Sequence, residues 1–496
     1  MSNDFITYIT EFEKNLKRLF HNSFDINKLS LERGMPSSLL KEIMSNNPLS
    51  VAIPEKFGGR GVNVKECLSV LSSASYESLP LSLTFGINIA LFLEPIAKYA
   101  NDKVKNSIFQ RFMKNQNMGG LMITEPNYGS DALNMQTNYE KVGNEYRIKG
   151  IKHWQGLTGM ADYWLIASRE KTASGNLGRD INFFICDVTE EKQRIEVSEY
   201  YNNLGLYMIP YGKNIIDIKV PNTYKLEPET SGIKMMLDIL HRSRMQFPGM
   251  AMGFIKRMLN ESLEHCKKRI IGERRLIDFD QVQYQISRIQ SAYTIASAMC
   301  FRSSKISGIE NDLSNKGIEA NTMKAFVTDL MQESAQNATQ LFGSTGYKME
   351  NVAGRGILDS RSFQIFEGSN EMLYTQIAEM ISKMMRRKKE FNIYKFLKGY
   401  ELTLKSYDYF KYDLDFIFSP KIAQRKLIDF GKIISRVISF DFVLDMENSG
   451  FRKDLVSNCL EILKLDVSRL VTTFSQNNKV KQIEEYTENS YWYDFV

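Results

Sequence analysis

Residues Phe363–Glu371 read Phe-Gln-Ile-Phe-Glu-Gly-Ser-Asn-Glu, a stretch that combines a carboxylate, a bend and a helix start. The apolar run brings Glu367 to Gly368, whose backbone freedom allows a sharp bend. Ser369 or Asn370 is a suitable N-cap, and the free N–H groups at a helix start favour a bound anion. A carboxylate held against apolar side chains at such a bend is a candidate general base with a raised pKa. Glu-Gly also occurs in many ordinary turns, so both interpretations stay open at this point.

The composition argues against several classes of function. The chain has 496 residues, of which 43% are hydrophobic and 25% charged, as in a globular protein of several domains. The net charge of +6 is small for this length, so we predict no nucleic-acid partner. The five cysteines lack CxxC spacing and the four histidines lack metal-ligand spacing. This pattern predicts reduced thiols in a cytoplasmic protein and no metal site.

The sequence predicts no membrane-spanning segment. Its N-terminus has early acidic residues and no long apolar core, unlike a secretory signal. The longest apolar stretch, near Leu79–Tyr99, is interrupted by Glu94-Pro95, so we do not expect it to span a membrane. The basic run Lys383–Lys389 most simply marks a solvated helix end, and membrane or partner docking is the minority interpretation.

The spacing of apolar residues divides the chain into four parts. The first part has helical spacing, and the second has short β-rich runs separated by turn residues. The third has long helices with short links, which is typical of a bundle, and the fourth has amphipathic helical stretches. We therefore predict a mainly α fold with a small β domain. Its parts are an N-terminal helical domain (1–118), a middle antiparallel sheet or barrel (119–228), a four-helix bundle (229–390) and a helical extension (391–496).

This order of parts is that of the acyl-CoA dehydrogenases, and a motif supports the resemblance. Met122–Asp131 reads Met-Ile-Thr-Glu-Pro-Asn-Tyr-Gly-Ser-Asp and resembles the TEPxxGSD flavin-binding signature of that family. Hydroxyl and N–H groups of such a segment can bond a flavin edge, and its glycine allows close approach. The resemblance implies FAD contacts at Met122, Ile123, Thr124, Gly129 and Ser130. It also implies a substrate contact at Ser130.

A second motif follows at Gly150–Gly156, which resembles the family's Gly-x-Lys-x-Trp run. The resemblance places Trp154 beside the flavin, although a buried core tryptophan is the alternative. Two residues later the family has a Thr or Ser that bonds the flavin nitrogen, and here that position is Gly156. The contact at Gly156 is therefore expected from the backbone N–H alone, unless Thr158 substitutes.

Two further segments resemble signatures that contact the FAD of a neighbouring subunit. Arg269 ends a segment similar to YAxxR, although Gly272-Glu273 replaces the Phe-Gly pair of the family. Gln340–Tyr347 is similar to QxxGGxGY, with one glycine replaced by serine. The resemblance thus implies FAD contacts at Arg269, Gln340 and Gly343, and it implies a homo-oligomer.

The opening stretch resembles the end of the family signature RDxRxxxIYEGTxE/Q. Leu358 replaces its leading arginine and Phe366 its tyrosine, while Glu367 falls on the position of the catalytic base. Some members carry the base beside the position of Arg244 instead. Here the neighbours Arg242 and Ser243 are not carboxylates, so the assignment stays with Glu367.

The same resemblance implies additional contacts around this base. Ser369 and Glu371 are implied FAD contacts, and Gly368 is an implied substrate contact. Arg244 resembles the family arginine near the thioester end of the substrate, with an ion pair inside the bundle as an equal alternative.

The implied reaction is the FAD-dependent α,β-dehydrogenation of an acyl-CoA to a trans-2-enoyl-CoA in fatty acid metabolism. Glu367 takes the α proton, the β hydride goes to flavin N5, and the electrons pass to an electron-transfer flavoprotein. One alternative is an enzyme of this fold that acts on acyl-carrier-protein thioesters or uses oxygen. Another is a structural or interaction flavoprotein without turnover. The extension could cover a surface that other members use to form tetramers, so we favour a homodimer.

Overall fold

The structure is a computed structural model that describes residues 3–419, 422–476 and 480–496. Its first part is helical, as predicted, and polar caps define where several helices begin. The side chains of Asn63, Ser78 and Asn101 each accept an N–H bond from the first turn of the helix that follows. The helices are α1 (Asn3–Arg18), α2 (Ile26–Leu29), α3 (Ser37–Met44), α4 (Val64–Glu77), α5 (Leu79–Asn88), α6 (Glu94–Tyr99) and α7 (Asp102–Asn115).

One apolar segment of this part is not interrupted where its sequence predicts an interruption. Leu79–Tyr99 is a continuous helical run of 21 residues with a mean hydropathy of 1.5, enough by length and composition to cross a membrane. Pro95 does not break the run, because it lies in the first turn of α6 and a π-helical turn, Ile89–Leu93, joins α5 to α6. In its most apolar window of 18 residues, 94% of that window is buried inside the protein, as in a core helix.

The middle part is a curled sheet in the order β1-β4-β2-β3-β7-β6, with β5 on β4. Its strands are β1 (Gly119–Met122), β2 (Asn138–Val142), β3 (Glu145–Gly156), β4 (Tyr163–Lys171), β5 (Leu177–Asp187), β6 (Glu196–Tyr200) and β7 (Tyr211–Pro221). The expectation of an antiparallel sheet needs one correction, since β4 pairs in parallel with both β1 and β2. The connections from β1 and β2 to β4 are long enough to return the chain to the same end of the sheet.

The third part is the helical bundle. Its helices are α8 (Gly232–Arg244), α9 (Phe247–Lys268), α10 (Asp280–Ile306), α11 (Gly317–Phe342), α12 (Val352–Arg361) and α13 (Asn370–Lys388), with a short hairpin of β8 (Ile270–Ile271) and β9 (Arg274–Arg275) after α9. Helix α9 packs against α10 and α11, and α13 packs against α11. Helix α4 of the first part lies on α9, so the two helical parts share one core.

The C-terminal extension is part of the same core. It contains α14 (Ile393–Lys398), α15 (Lys411–Leu414), α16 (Gln424–Asn448) and α17 (Lys453–Ser475). Helix α16 packs on α13 and α10, and α17 packs on α10. At Gly431 the two backbones approach so closely that a Cβ would lie 2.1 Å from the carbonyl oxygen of Tyr374. Arg288 of α10 is paired with Asp466 of α17 at 2.7 Å. The extension therefore covers two helices of the bundle.

Candidate functional site

Glu367 lies on a left-handed turn that leads into α13. Glu367 and Gly368 have φ angles of 53° and 92°. A left-handed conformation is unfavourable for a glutamate, so the surroundings must hold it. Arg244 donates from Nε and Nη2 to the carbonyl oxygen of Glu367 at 3.2 and 2.9 Å, and Lys324 donates from Nζ to that of Gly368 at 2.7 Å. Two cations thus hold the two carbonyls of the turn.

The Glu367 carboxylate is only partly satisfied. Ser243 Oγ donates to Oε1 at 2.8 Å, whereas the buried Oε2 has no hydrogen-bond partner. Burial raises the pKa of Glu367, and the bond from Ser243 and the charges of Arg244 and Lys324 oppose that rise. A buried carboxylate with one free oxygen and a raised pKa has the properties of a general base.

The surroundings of the turn are rigid. Phe366, Phe363 and Phe247 pack on one another with ring centroids 5.0 to 5.9 Å apart. Ser369 caps α13, where its hydroxyl accepts the N–H of Met372 at 3.4 Å. The buried Asn370 accepts a bond from Lys324 Nζ at 3.0 Å and ties the start of α13 to α11. These contacts fix the direction in which Glu367 points.

Arg244 is buried, and protein groups accept its hydrogen bonds. Besides the Glu367 carbonyl, Asn321 Oδ1 accepts from Nη1 at 2.8 Å. Burial lowers the pKa of Arg244, and the charge of Glu367 opposes this. The sequence predicted either a substrate contact or an ion pair inside the bundle. The structure instead shows Arg244 bonded to the backbone of the Glu367 turn, and its substrate contact stays a prediction.

The TEPxxGSD segment forms the loop after β1, and its glutamate anchors that loop. Glu125 accepts from Lys152 Nζ and from the N–H of Thr137 at 2.9 Å each, and from the N–H of Gln136 at 2.6 Å. Lys152 also donates to the carbonyl oxygen of Ile123 at 2.8 Å. These bonds therefore fix the loop to β3 and to the residues that precede β2.

The predicted flavin contacts on this loop differ in exposure. Met122 is buried at the end of β1, and Ile123 and Thr124 are half-buried. Gly129 and Ser130 are exposed, and a Cβ at Gly129 would meet nothing within 4 Å. Hydroxyls, N–H groups and open space therefore occur together on this side of the sheet.

Trp154 stands at a β-bulge of β3, with a φ of 63° and a side chain that is 51% exposed. This exposure argues against the alternative of a core tryptophan. Its ring rests on Tyr201, with centroids 4.4 Å apart. The N–H of the preceding His153 donates to the carbonyl oxygen of Thr124 at 3.0 Å, so Trp154 lies beside the loop. Bulges often redirect a side chain next to a functional site.

A side chain at position 156 would require one neighbouring side chain to move. A Cβ there would lie 2.8 Å from Cδ1 of Ile87, so a threonine or serine would displace that side chain. Thr158 does not substitute, because it is buried and its hydroxyl donates to the carbonyl oxygen of Gln155 at 2.8 Å and accepts from Asn214 at 3.2 Å. Only the backbone of Gly156 can serve a flavin from this position.

Arg269, Gln340 and Gly343 gather at the other end of the bundle. All three are exposed. The rings of His265 and Phe342 are in contact, with centroids 4.6 Å apart, and this contact joins the ends of α9 and α11. Arg269 follows α9, whose 22 residues span about 33 Å from the end beside Glu367. These residues are therefore well separated from the turn of their own chain.

Sequence reasoning missed several residues of the site. Ser243 was considered only as a non-carboxylate, and Lys324 was not assigned a role. Asn370 was predicted only as an alternative N-cap of α13, a position that Ser369 occupies. The usable signal for Lys324 was a lone lysine in the apolar stretch Met323–Val327 of α11. Glu371, a predicted FAD contact, is exposed in the first turn of α13. Among the residues that the structure describes, no group of three His, Cys, Asp or Glu side chains could hold a metal ion.

Comparisons with known proteins agree with this architecture. Three family models match: acyl-CoA dehydrogenase N-terminal domain at residues 11–116, middle domain at 120–217 and C-terminal domain at 230–382. This chain belongs to the acyl-CoA dehydrogenase family. Its class is therefore that of oxidoreductases acting on a CH–CH bond, and the resemblance inferred from the motifs is confirmed.

Two relatives of this acyl-CoA dehydrogenase family member are distant from it in sequence. An acyl-CoA dehydrogenase of Bacillus subtilis (strain 168) is 24% identical over 342 residues, which is 68% of this chain and 87% of that protein. Butyryl-CoA dehydrogenase from Megasphaera elsdenii superposes with a TM-score of 0.67 at 20% identity over 77% of this chain and 98% of its own.

One solved relative also matches the C-terminal extension. The acyl-CoA dehydrogenase of Bacillus anthracis complexed with FAD has a TM-score of 0.76 at 17% identity and covers 96% of this chain and 88% of its own. FAD is the cofactor of this family, and the donors beside Trp154 suit its flavin edge. The expected fold, mainly α with a small β domain and extra C-terminal helices, is confirmed.

Proposed function

We propose that this protein dehydrogenates an acyl-CoA thioester between its α and β carbons, with Glu367 as the general base. The observation that carries this proposal is the buried, unpartnered Oε2 of Glu367 on a turn that two cations hold. Deprotonation next to a thioester carbonyl needs a base whose pKa is not far below neutrality. Burial supplies that pKa shift, since it raises the pKa of Glu367.

The chain's own residues then have distinct tasks. Glu367 Oε2 takes the α proton, while Ser243 keeps Oε1 in place. Arg244 and Lys324 occupy the carbonyls of the turn, which leaves its N–H side available to the thioester oxygen. FAD, when bound, supplies the acceptor for the β hydride at flavin N5. The product is a trans-2-enoyl thioester.

The proposed FAD site draws on three places in the fold. The loop after β1 and the end of β3 provide Met122, Ile123, Thr124, Gly129, Ser130, Trp154 and the backbone of Gly156. The start of α13 provides Ser369 and Glu371. Because Arg269, Gln340 and Gly343 lie at the far end of the bundle, we propose that they contact the FAD of a neighbouring copy. Ser130, Arg244 and Gly368 are the proposed substrate contacts.

The proposed assembly is a homodimer. Helices α16 and α17 cover α10 and α13, so those faces are not free for a further pair of subunits. We propose domain boundaries near residues 118, 228 and 390, which the ranges of the three matching family models support. Sedimentation velocity tests the assembly, since a tetramer would contradict it.

An electron-transfer flavoprotein is the proposed electron acceptor, and the proposed location is the cytoplasm. All five cysteines are free, which supports a reducing compartment. We propose fatty acid metabolism as the context, since the substrate is an acyl thioester.

The test is anaerobic mixing of the FAD-loaded protein with a panel of acyl-CoA thioesters. We expect the flavin absorption to bleach, and we expect the Glu367→Gln variant to bind FAD but to bleach at least about 10²-fold more slowly. Rapid bleaching in that variant would show that another group is the base. Bleaching only with acyl-carrier-protein thioesters, or turnover only with oxygen, would favour the alternative enzymes. A purified protein that takes up no FAD would favour a protein without turnover.

A further inference from the structure

Glu94 shares an unusual property with the proposed base. Among the described residues, Glu94 and Glu367 are the two carboxylates that have a buried oxygen without a hydrogen-bond partner. Glu94 begins α6 and is 2% exposed, and its Oε1 accepts from Gln246 Nε2 at 2.8 Å. Glu94 Oε2 and Gln246 Oε1 both lack a partner. Since buried polar atoms are nearly always hydrogen-bonded, these two oxygens indicate a group that the protein itself does not supply.

The pair lies next to the Glu367 site. Gln246 follows α8, and its N–H donates to the carbonyl oxygen of Ser243 at 2.8 Å, which closes a tight turn. In such a turn, side chains three residues apart lie on the same face, about 6 Å apart along the axis. Ser243 bonds Glu367, and Gln246 bonds Glu94. The unpartnered oxygens are thus one turn away from the proposed base.

The run from α5 to α6 connects this pair to the proposed flavin edge. Ile87 lies against Gly156 of β3, and Glu94 follows it seven residues later, about two helical turns along the run. This run therefore forms a wall from Gly156 to Gln246. An acyl chain that followed this wall from an α carbon at Glu367 would reach Glu94.

The charges around Glu94 favour a neutral group. Lys98 and Arg242 both pair with Asp238 at 3.3 Å. With Glu94 ionised, these four side chains sum to zero charge, so an added charge would be unpaired and buried. Burial raises the pKa of Glu94 to about 7, although Arg242 opposes the shift, so near neutrality this carboxyl can donate as well as accept. A hydroxyl group, which also donates and accepts, matches the two oxygens.

We propose that Glu94 and Gln246 bind a hydroxyl group on the acyl chain of the substrate, several carbons beyond the α carbon. This inference rests on the proposed function, because it needs the acyl thioester to lie beside Glu367. It names the substrate class as hydroxyacyl thioesters. The hydroxyl is bound and does not react, so the chemistry at the α and β carbons is unchanged.

The test compares ω-hydroxyacyl-CoA thioesters of increasing length with the unsubstituted acyl-CoA of each length. For the wild-type holoenzyme, we expect kcat/KM to favour the hydroxylated member by about tenfold at the length that reaches Glu94. Glu94→Gln and Gln246→Met should each lower that ratio several-fold. Ser262→Ala is the matched control, because Ser262 also has a buried unpartnered oxygen but lies about 24 Å further along α9. It should leave the ratio unchanged.

Calorimetric binding to the Glu367→Gln holoenzyme separates this inference from the proposed function. A preference for the hydroxylated thioester in binding, without bleaching of wild-type FAD by any thioester, would overturn the proposed function alone. Equal binding of both thioesters at every length would show that only water meets these oxygens, and it would overturn the inference. The same holds if the ratio is unaltered in both variants.

Discussion

Two glutamates of this protein lie beside a buried lysine, and their environments differ in one respect. Glu125, in the loop after β1, pairs directly with Lys152 at 2.9 Å, and both of its oxygens accept hydrogen bonds. Glu367 has Lys324 nearby, but that lysine donates to the carbonyl oxygen of Gly368. The Oε2 atom of Glu367 has no hydrogen-bond partner. In one case the cation holds the carboxylate, and in the other it holds the backbone beside the carboxylate.

The pKa shifts follow from this difference. Burial raises the pKa of Glu125, but Lys152 and the hydrogen bonds outweigh it, so the net shift is downward. For Glu367, burial outweighs Ser243, Arg244 and Lys324, and the pKa is raised. A fully paired carboxylate is a weak base that stabilises structure. A partly paired one keeps a free lone pair for a proton, which is what the proposed reaction needs.

The largest expected effect comes from the same substitution at the two glutamates. Glu367→Gln removes the base, so we expect the rate of flavin bleaching by acyl-CoA to fall by about 10²- to 10⁴-fold. Glu125→Gln removes no reacting group, so its bleaching rate should stay within about tenfold of wild type once the variant is folded and loaded with FAD. Stopped-flow absorbance measures both. Similar losses in the two variants would contradict the proposal that Glu125 is structural and Glu367 catalytic.

The next effect is on stability, at the other glutamate. Lys152→Met leaves the Glu125 carboxylate buried without its cation, which should lower the free energy of unfolding by about 3–5 kcal/mol. Denaturant titration measures this loss, and Glu125→Gln/Lys152→Met should recover part of it.

The pH dependence of that loss has a definite sign. In wild type the lowered pKa of Glu125 adds stability above the ordinary carboxyl pKa, and this is lost as pH falls through the folded-state value. Without Lys152, burial should raise the pKa, and the variant should then gain relative stability on acidification. A parallel pH dependence of the two proteins would contradict the assignment of Lys152 as the dominant partner.

Sequence reasoning reached the fold because it depends on features that a single chain displays. Apolar spacing and turn residues defined the helical and β-rich parts, and the signatures around Thr124 and Glu367 identified the family. The parallel pairing of β4 with β1 and β2 was missed, because the neighbour of a strand depends on where the chain returns to the sheet, and the local sequence does not show this. The sequence suggested that the C-terminal extension covers a surface, but it did not show which helices α16 and α17 contact, since a close approach such as that of Gly431 to Tyr374 has no local signature.

The contacts around Glu367 were harder to predict from the sequence than Glu367 itself. Lys324, Ser243 and Arg244 act through contacts between residues that are 44, 124 and 123 positions apart from their partners. No spacing rule predicts such pairs. The unpartnered oxygens of Glu94 and Gln246 are likewise visible only once the surrounding atoms are known.

A smaller effect is expected at the lysine beside the base. Lys324→Met removes the bond to the Gly368 carbonyl and a nearby positive charge, so the turn loosens and the pKa of Glu367 rises further. We expect kcat/KM at neutral pH to fall about tenfold. Lys324→Met also leaves the Gly368 carbonyl without this partner, so the melting temperature should fall as well. Lys305→Met, at an exposed position of α10, is the control and should leave kcat/KM unaltered.

The smallest effect is expected at Ser243, and it is the most specific for the environment of the base. Its hydroxyl bonds Glu367 Oε1 at 2.8 Å and favours the ionised form. Ser243→Ala should therefore raise the pKa of Glu367, so that the acid limb of kcat/KM moves to higher pH. Activity at neutral pH should fall a few-fold, by up to about tenfold. At high pH, where the base is ionised in both proteins, the variant should approach wild type.

A pH profile distinguishes this electrostatic role of Ser243 from simple packing. If Ser243 only filled space, Ser243→Ala would lower kcat/KM by the same factor at every pH, whereas loss of the bond acts only where Glu367 titrates. Ser243→Thr keeps a hydroxyl at the same position and should restore the wild-type acid limb. An unshifted limb in Ser243→Ala would mean that Ser243 does not tune Glu367, and burial alone would then account for its raised pKa.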